Sequence, residues 1–362
     1  MLSMNKLFLR LFIVSTLVIT VSVAVLYSYV QQQLHQQVRL ESPASQQQAQ
    51  QDSRGRVIWT IERGSNLSQV NRQLYLAGIL SSPVLLARYA RLKGDVDIQA
   101  GSYWISLDDS ASSLLNKFNR GEVVRYQITF PEGWAFKHWL AHLQSVPQFA
   151  GISGSTPEQL LAQANIDVEY YEGWFFPDTY SYSATDSVAD ILAQAHARML
   201  AVLKQAWERR ELDLPYSSAY EALIMASIIE KETGLAEERE EIAGVFVRRL
   251  RSRMRLQTDP TVIYGMGDAY KGNIRRVHLK QRTPYNTYMI NGLPPTPIAM
   301  PSEAAIEAAL HPLPGSSLYF VARGDGGHYF SDTLEEHLGA VRQYQIKQRA
   351  HNYQSAPQQN SD

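Results

Sequence analysis

The chain has 362 residues, a formal net charge of −1 and no cysteine. That length allows two domains, or one large domain with a smaller one attached. The missing cysteine excludes disulfides, thiolate metal sites and cysteine nucleophiles, and the balanced charge, with no dense Lys/Arg stripe, gives no basis for a nucleic-acid partner.

In chain order, residues 11–30 form an uncharged apolar run of bilayer-crossing length. Lys6 and Arg10 precede it, and the next charges are Arg39 and Glu41. This asymmetry predicts a cytoplasmic tail at residues 1–10, an uncleaved anchor at 11–30 and an exported remainder. A signal peptide cleaved near Ser22-Val-Ala24 is the competing reading, but the apolar run continues past that site. Residues 31–54, rich in Gln, Ser and Ala, are expected to be a tether.

Residues 55–133 read as a small α+β unit. Strands are predicted at 57–61, 101–105 and 123–130, and helices at 67–76, capped by Ser65 or Asn66, at 84–92 and at 110–118. Trp59, Tyr103 and Trp104 are expected in its core more than on a sugar-stacking face.

Residues 134–350 read as a mixed, mostly helical domain. Helices are predicted from 134 to about 144 and over 186–211, separated by a short helix and by the aromatic loop Glu172-Gly-Trp-Phe-Phe-Pro-Asp-Thr-Tyr180. From Ala222 to Ile229 every residue is apolar or small, so the helix carrying Leu223-Ile-Met-Ala-Ser-Ile-Ile-Glu-Lys-Glu-Thr-Gly234 must be buried on all sides. Acids at 237–241 and arginines at 248, 249 and 251 mark the two ends of the next helix. Asp259-Pro260 starts another. Two Pro-stiffened polar loops, at 282–288 and 291–298, suit sugar recognition or ordinary turn chemistry. A helix at 302–310, a hairpin about Gly324-Asp-Gly-Gly327, a closing helix at 333–349 and a polar tail at 351–362 complete an α+β fold.

Glu230 stands out chemically. At helical spacing it shares a face with Leu223 and Ala226, so its carboxyl is expected to emerge on the packed side of the helix. Apolar surroundings and the negative end of the helix dipole both oppose its ionised form, which would suit a general acid. A buried structural carboxylate is the alternative. Other chemistries fit less well. The nine histidines form no His-Glu-x-x-His or other dense ligand cluster, so no metal or other cofactor is expected. Gly265-Met-Gly267 lacks the context of a dinucleotide loop, and Gly315-Ser-Ser317 is not a nucleophile elbow. Glu230 and Glu232 point in different directions on a helix and make a poor carboxylate pair, so a hydrolase would need a second carboxylate, for which Asp259 is the best placed. A transglycosylase closing the sugar on its own 6-hydroxyl can use one carboxyl for both steps.

The motifs Phe130-Pro-Glu-Gly133, Glu172-Gly-Trp-Phe-Phe-Pro-Asp-Thr-Tyr180, Ala226-Ser-Ile-Ile-Glu-Lys-Glu-Thr233, Leu256-Gln-Thr-Asp-Pro-Thr-Val-Ile-Tyr-Gly265, Pro284-Tyr-Asn-Thr-Tyr288, Gly292-Leu-Pro-Pro295 and Leu318-Tyr-Phe-Val321 run in one order along the chain. In this it resembles the membrane-bound endolytic murein transglycosylases, the MltG or YceG-like family. It departs from the family pattern at Thr296, where a small residue is usual, and at Met300-Pro301, where Asn-Pro or Thr-Pro is usual. The resemblance implies a single-pass inner-membrane enzyme with its catalytic part in the periplasm and a LysM-like, glycan-binding subdomain at 55–133. Its expected substrate is peptidoglycan, cut within nascent glycan strands between N-acetylmuramic acid (MurNAc) and N-acetylglucosamine (GlcNAc) to leave 1,6-anhydro ends. Such cutting implies a role in ending strand elongation beside peptidoglycan synthases. It also implies that Glu230 is the catalytic acid and then base, and it places Gln257, Asp259, Tyr285, Asn286 and Tyr288 in shared motifs as candidate substrate contacts. A muramidase-type hydrolase and a non-catalytic glycan-binding scaffold are the alternatives.

Overall fold

The computed structural model describes residues 2–40, 52, 54–94 and 97–347. They divide into two compact units, one holding the residues up to Tyr126 with Ser181–Asp186, the other Gln127–Tyr180 and the residues from Ser187 onward. The boundary expected at 133/134 therefore falls inside the second unit.

The first unit begins with α1 (Leu2–His35), whose segment Leu11–His35 is long and apolar enough to cross a membrane. Residues 31–40, expected to be a tether, instead extend α1 to His35 and then pack. Leu34, Val38 and Leu40 are buried, the Val38 N–H donates to the Asp109 carbonyl at 2.8 Å, and the Arg39 N–H donates to the Ile79 carbonyl at 3.2 Å. Three large apolar side chains in seven residues give this segment enough surface to bury, which its polar average conceals. The rest of the expected tether, 41–51 and 53, and the expected tail, 351–362, lie outside the described residues.

Strand β1 (Val57–Ile61) pairs antiparallel with β2 (Gly101–Ile105), Val57 opposite Ile105 and Ile61 opposite Gly101. Helices α2 (Leu67–Leu76) and α3 (Leu85–Lys93) lie between them in sequence, and α4 (Ala111–Arg120) follows. Asn66 caps α2 in a full capping box with Gln69, and Ser110 caps α4. The alternate residues Val57, Trp59 and Ile61 face a core shared with Leu74, Tyr103 and Phe118. Trp59 and Tyr103 are thus core aromatics, whereas Trp104 is half-buried beneath Arg56, 4.4 Å from its ring. Strand β3 (Tyr126–Thr129) pairs with β4 (Thr179–Tyr182), a strand hidden in the sequence inside the aromatic loop, and the division into units falls within these two strands.

The second unit adds α5 (Phe136–Ser145), α6 (Pro157–Gln163) and α7 (Val188–Glu208), the last capped by Ser187. Its centre is α8 (Ala219–Glu232), in which every residue from Ala222 to Glu230 is buried. Around α8 pack α7, α9 (Arg239–Arg251), α10 (Asp259–Met266) and, along much of its length, α12 (Glu303–Leu310). The short α11 (Arg276–Lys280) precedes α12, and the predicted hairpin is present as β5 (Tyr319–Ala322) and β6 (His328–Ser331), followed by α13 (Leu334–Val341). Each large aliphatic side chain buried on α8 contributes about 1.5–3 kcal/mol, so the helix is held by packing and not by its own propensity. Ser227, its one buried hydroxyl, donates to the Ile224 carbonyl at 2.7 Å and accepts the Ile298 N–H at 3.0 Å, fixing the Pro-rich loop against the helix.

Candidate active site

The last turn of α8 presents two carboxyl groups to two different surroundings. Glu230 is 5% exposed, and its Oε2 accepts both the N–H and the hydroxyl of Ser302, at 3.1 and 2.5 Å. Ser302 is the N-cap of α12, so this carboxylate occupies the place that a helix start offers to an anion. Nearby, Lys231 Nζ donates to the Gly133 carbonyl at 3.2 Å, the Gly133 N–H donates to the Met300 carbonyl at 2.8 Å, and the Met300 N–H to the Trp134 carbonyl at 2.8 Å. Glu230 lines neither the cleft of about 1210 Å³ nor the cavity of about 510 Å³ in this unit. The side expected for it is correct, but the packed face of α8 is closed there.

Glu232 turns the other way. It lines a cleft of about 1210 Å³ together with Lys231, Arg249, Gln257, Asp259 and Tyr288, with the hairpin and α13 forming the far wall. Thr258 Oγ1 donates to its Oε1. Burial pushes the Glu232 carboxyl up to about 7; the charge of Asp259 adds to the rise, while the Thr258 hydrogen bond and Arg249 oppose it. Asp259, at the first position of α10, accepts the Tyr288 hydroxyl at 2.7 Å. Asp259 thus stands in this cleft with Glu232, whereas the sequence offers it as a second carboxylate for Glu230.

Two buried polar links frame this cleft. Arg249 on α9 donates from Nε to the Leu318 carbonyl and from Nη1 to the Leu256 carbonyl, both at 2.6 Å, joining the β5 lead-in to the Gln257 loop. Glu238 accepts the His328 N–H at 2.8 Å and meets its Nδ1 at 2.7 Å, tying β6 to the segment just after α8.

Of the expected substrate contacts, Gln257, Asp259 and Tyr288 line the cleft. Asn286 and Tyr285 do not. Asn286 is buried, its amide nitrogen donating to the carbonyls of His278, Leu279 and Gln281 at 3.1, 3.2 and 2.6 Å and its oxygen accepting the Tyr288 N–H at 3.0 Å. It organises the loop, as Asn commonly does in turns. Tyr285 faces a second cavity, of about 510 Å³, where its hydroxyl lies 2.9 Å from Thr296 Oγ1. The same cavity holds Glu172, buried and pushed up to about 7 chiefly by that burial, accepting the Phe136 N–H at 2.9 Å and the Tyr264 hydroxyl at 3.0 Å. Gly173 beside it has φ +85°, and a Cβ there would come within 2.4 Å of Pro297. Thr296, unusual for the family pattern, is accommodated by burial and by its bonds to Tyr285 and the Pro297 carbonyl.

Sequence reasoning did not single out Glu232, Thr258, Lys231 or Arg249. The available signal for Glu232 was its place two residues beyond Glu230, which turns it roughly 200° round the helix, away from the packed face.

Residues 59–343 match the YceG-like family, and the chain belongs to that family. It is 30% identical over 313 residues to the endolytic murein transglycosylase of Bacillus subtilis (strain 168), covering 82% of this chain and 86% of the relative. It is 28% identical over 326 residues to the endolytic murein transglycosylase of Streptococcus pneumoniae (strain ATCC BAA-255 / R6), covering 76% of this chain but only 56% of the relative. A crystal structure of a putative YceG-like protein from Listeria monocytogenes is 28% identical, covers 79% of this chain and 99% of that one, and superposes with a TM-score of 0.47.

Proposed function

We propose that this chain is an endolytic lytic transglycosylase of peptidoglycan whose general acid is Glu232 in place of the expected Glu230. The enzyme class rests on its family and on relatives named endolytic murein transglycosylase. The choice of residue rests on one observation: of the two carboxyl groups ending α8, Glu232 alone lines the large cleft, and burial there raises its carboxyl to about 7, within reach of a proton at neutral pH. A general acid needs both access and that proton.

In this reading Glu232 gives its proton to the glycosidic oxygen between MurNAc and GlcNAc, and the bond from that oxygen to the muramyl C1 breaks. The resulting carboxylate then removes the proton of the muramyl 6-hydroxyl, whose oxygen bonds to C1. The product is a 1,6-anhydro end, no water is consumed, and Glu232 returns to its protonated state. Gln257, Asp259 and Tyr288 supply hydrogen-bonding groups along the cleft.

Purified Glu232→Gln should lose ~10²–10⁴-fold of its rate on uncrosslinked glycan strands, or more since one group serves both steps. Retention of activity would defeat the assignment. In the wild-type protein kcat should fall as pH rises through about 7, because the acid loses its proton there.

Asp259 beside Glu232 also supports a second reading, a muramidase in which the two carboxyls share the work of adding water. Weighing the cut ends decides, since an anhydro end is lighter than a reducing end by one water. A purely scaffolding role predicts no new ends at any protein concentration.

We further read residues 11–30 as a single-pass inner-membrane anchor with the catalytic unit in the periplasm beside peptidoglycan synthases, where cutting would end strand elongation. The β1-α2-α3-β2 arrangement is read as a LysM-like glycan-binding module. Protease added to spheroplasts should digest the second unit; full protection would reverse the orientation. Loss of affinity for glycan strands on deletion of residues 55–126 would support the module, and unchanged affinity would remove it.

A further inference from the structure

Next to the cleft, three buried threonines from two segments meet. The Thr258 N–H donates to Thr287 Oγ1 at 3.0 Å, and the hydroxyls of Thr261 and Thr287 converge on the Thr258 carbonyl at 2.9 and 3.3 Å. Those two hydroxyls also lie 2.9 Å from each other. Thr258, Thr261 and Thr287 are all 2% exposed or less. One residue earlier the Gln257 N–H donates to the Thr287 carbonyl at 3.2 Å, and Gln257 is held at φ +53°, a left-handed conformation that is strained for a non-glycine residue. The Thr258 backbone is therefore fully engaged, and the one polar atom it has left, Oγ1, donates to Oε1 of Glu232.

A carboxylic acid accepts on one oxygen and donates from the other. We propose that Thr258 is a positioning residue for the acid: its hydroxyl, carried on a backbone that Thr261 and Thr287 hold, occupies Oε1 of Glu232 and commits Oε2 to exchange the proton with the sugar. In the acid form Oε1 is the carbonyl-type oxygen and Oε2 carries the hydrogen. After transfer the same hydroxyl continues to donate to Oε1, so the group does not turn between giving a proton to the glycosidic oxygen and taking one from the 6-hydroxyl. No bond to Thr258 forms or breaks. The strained backbone at Gln257 is accounted for as well, since it is the turn that brings the Thr258 hydroxyl to the end of α8. This inference rests on Glu232 being the acid.

The test uses the full chain on uncrosslinked glycan strands, with new ends counted across a pH series. Thr258→Val keeps the shape and removes the hydroxyl. A hydrogen bond to a charged group is worth about 1.5–3 kcal/mol, so kcat should fall roughly 10- to 150-fold while KM stays within about 3-fold. Losing a donor to the carboxylate favours the protonated form, so the pH at which kcat falls should move upward. Thr258→Ser should restore both the rate and the pH midpoint. Thermal melting checks the fold, and Thr258→Ala, which removes the same hydroxyl without the tight fit of Val, replaces the Val variant if that one does not fold. A rate loss with an unmoved pH midpoint, or a Ser variant as slow as Val, would assign Thr258 a merely structural role. An active Glu232→Gln protein sinks the acid assignment itself, whereas an inactive one beside a fully active Thr258→Val sinks only the positioning role.

Discussion

Glu230 and Glu232 stand two residues apart on one helix in opposite surroundings. The first is enclosed, with Ser302 donating two hydrogen bonds to one oxygen at the N-terminus of another helix. The second opens on the large cleft with Asp259, Gln257 and Tyr288 around it. The lesson is that burial alone does not make a general acid. On the proposed reading a carboxyl in a closed polar pocket serves as a strut, and one at the wall of a cleft, raised to about 7 by burial, serves as the reagent.

The two variants Glu232→Gln and Glu230→Gln test that contrast most directly. The first should abolish strand cutting by the factor given above while leaving the melting temperature nearly unchanged. The second keeps an acceptor for Ser302 and should retain cutting within about tenfold, since it touches no group of the cleft. A folded Glu230→Gln protein with no activity would invert the assignment of the two residues.

Glu230→Ala goes further and leaves the Ser302 N–H and the hydroxyl hydrogen without an acceptor in a buried place. It should lower stability by about 1–3 kcal/mol, read as a shift of the denaturation midpoint. An unchanged midpoint would mean that the strut carries no load.

Tyr288→Phe removes the hydrogen bond to Asp259 on the other side of the cleft. A loss of about 5- to 15-fold in kcat is expected from a single hydrogen bond of ~1–1.5 kcal/mol. No loss would detach Asp259 and Tyr288 from the reaction.

Glu172 touches stability and not cutting, and it sharpens the comparison from outside the cleft. Its folded-state pKa of about 7 lies above the ordinary 4.5, so its contribution to stability is fully present below about pH 4.5 and is lost as pH rises to 7. That loss is on the order of 3 kcal/mol at most. Glu172→Gln, which still accepts the Phe136 N–H, should flatten the decline in melting temperature between pH 5 and 8 by a few degrees. An identical decline in both proteins would remove Glu172 as its source.

By itself the sequence determined the pieces that depend on local pattern. The run of apolar and small residues from Ala222 set a buried central helix, Gly324-Asp-Gly-Gly327 set the hairpin, and the pair Ser65-Asn66 marked a helix start at which Asn66 proved to be the cap. The ordered motifs were enough to place the chain in its family. Only the tertiary structure decided which carboxyl meets the cleft, because periodicity tells which side of a helix a residue is on and not what packs against that side. Ser302, 72 residues beyond Glu230, closes one face, while Thr258 and Asp259 shape the other. The same long-range pairing set Asn286 to holding its own loop and turned Tyr285 into the neighbouring cavity, outcomes that depend on partners no local spacing encodes.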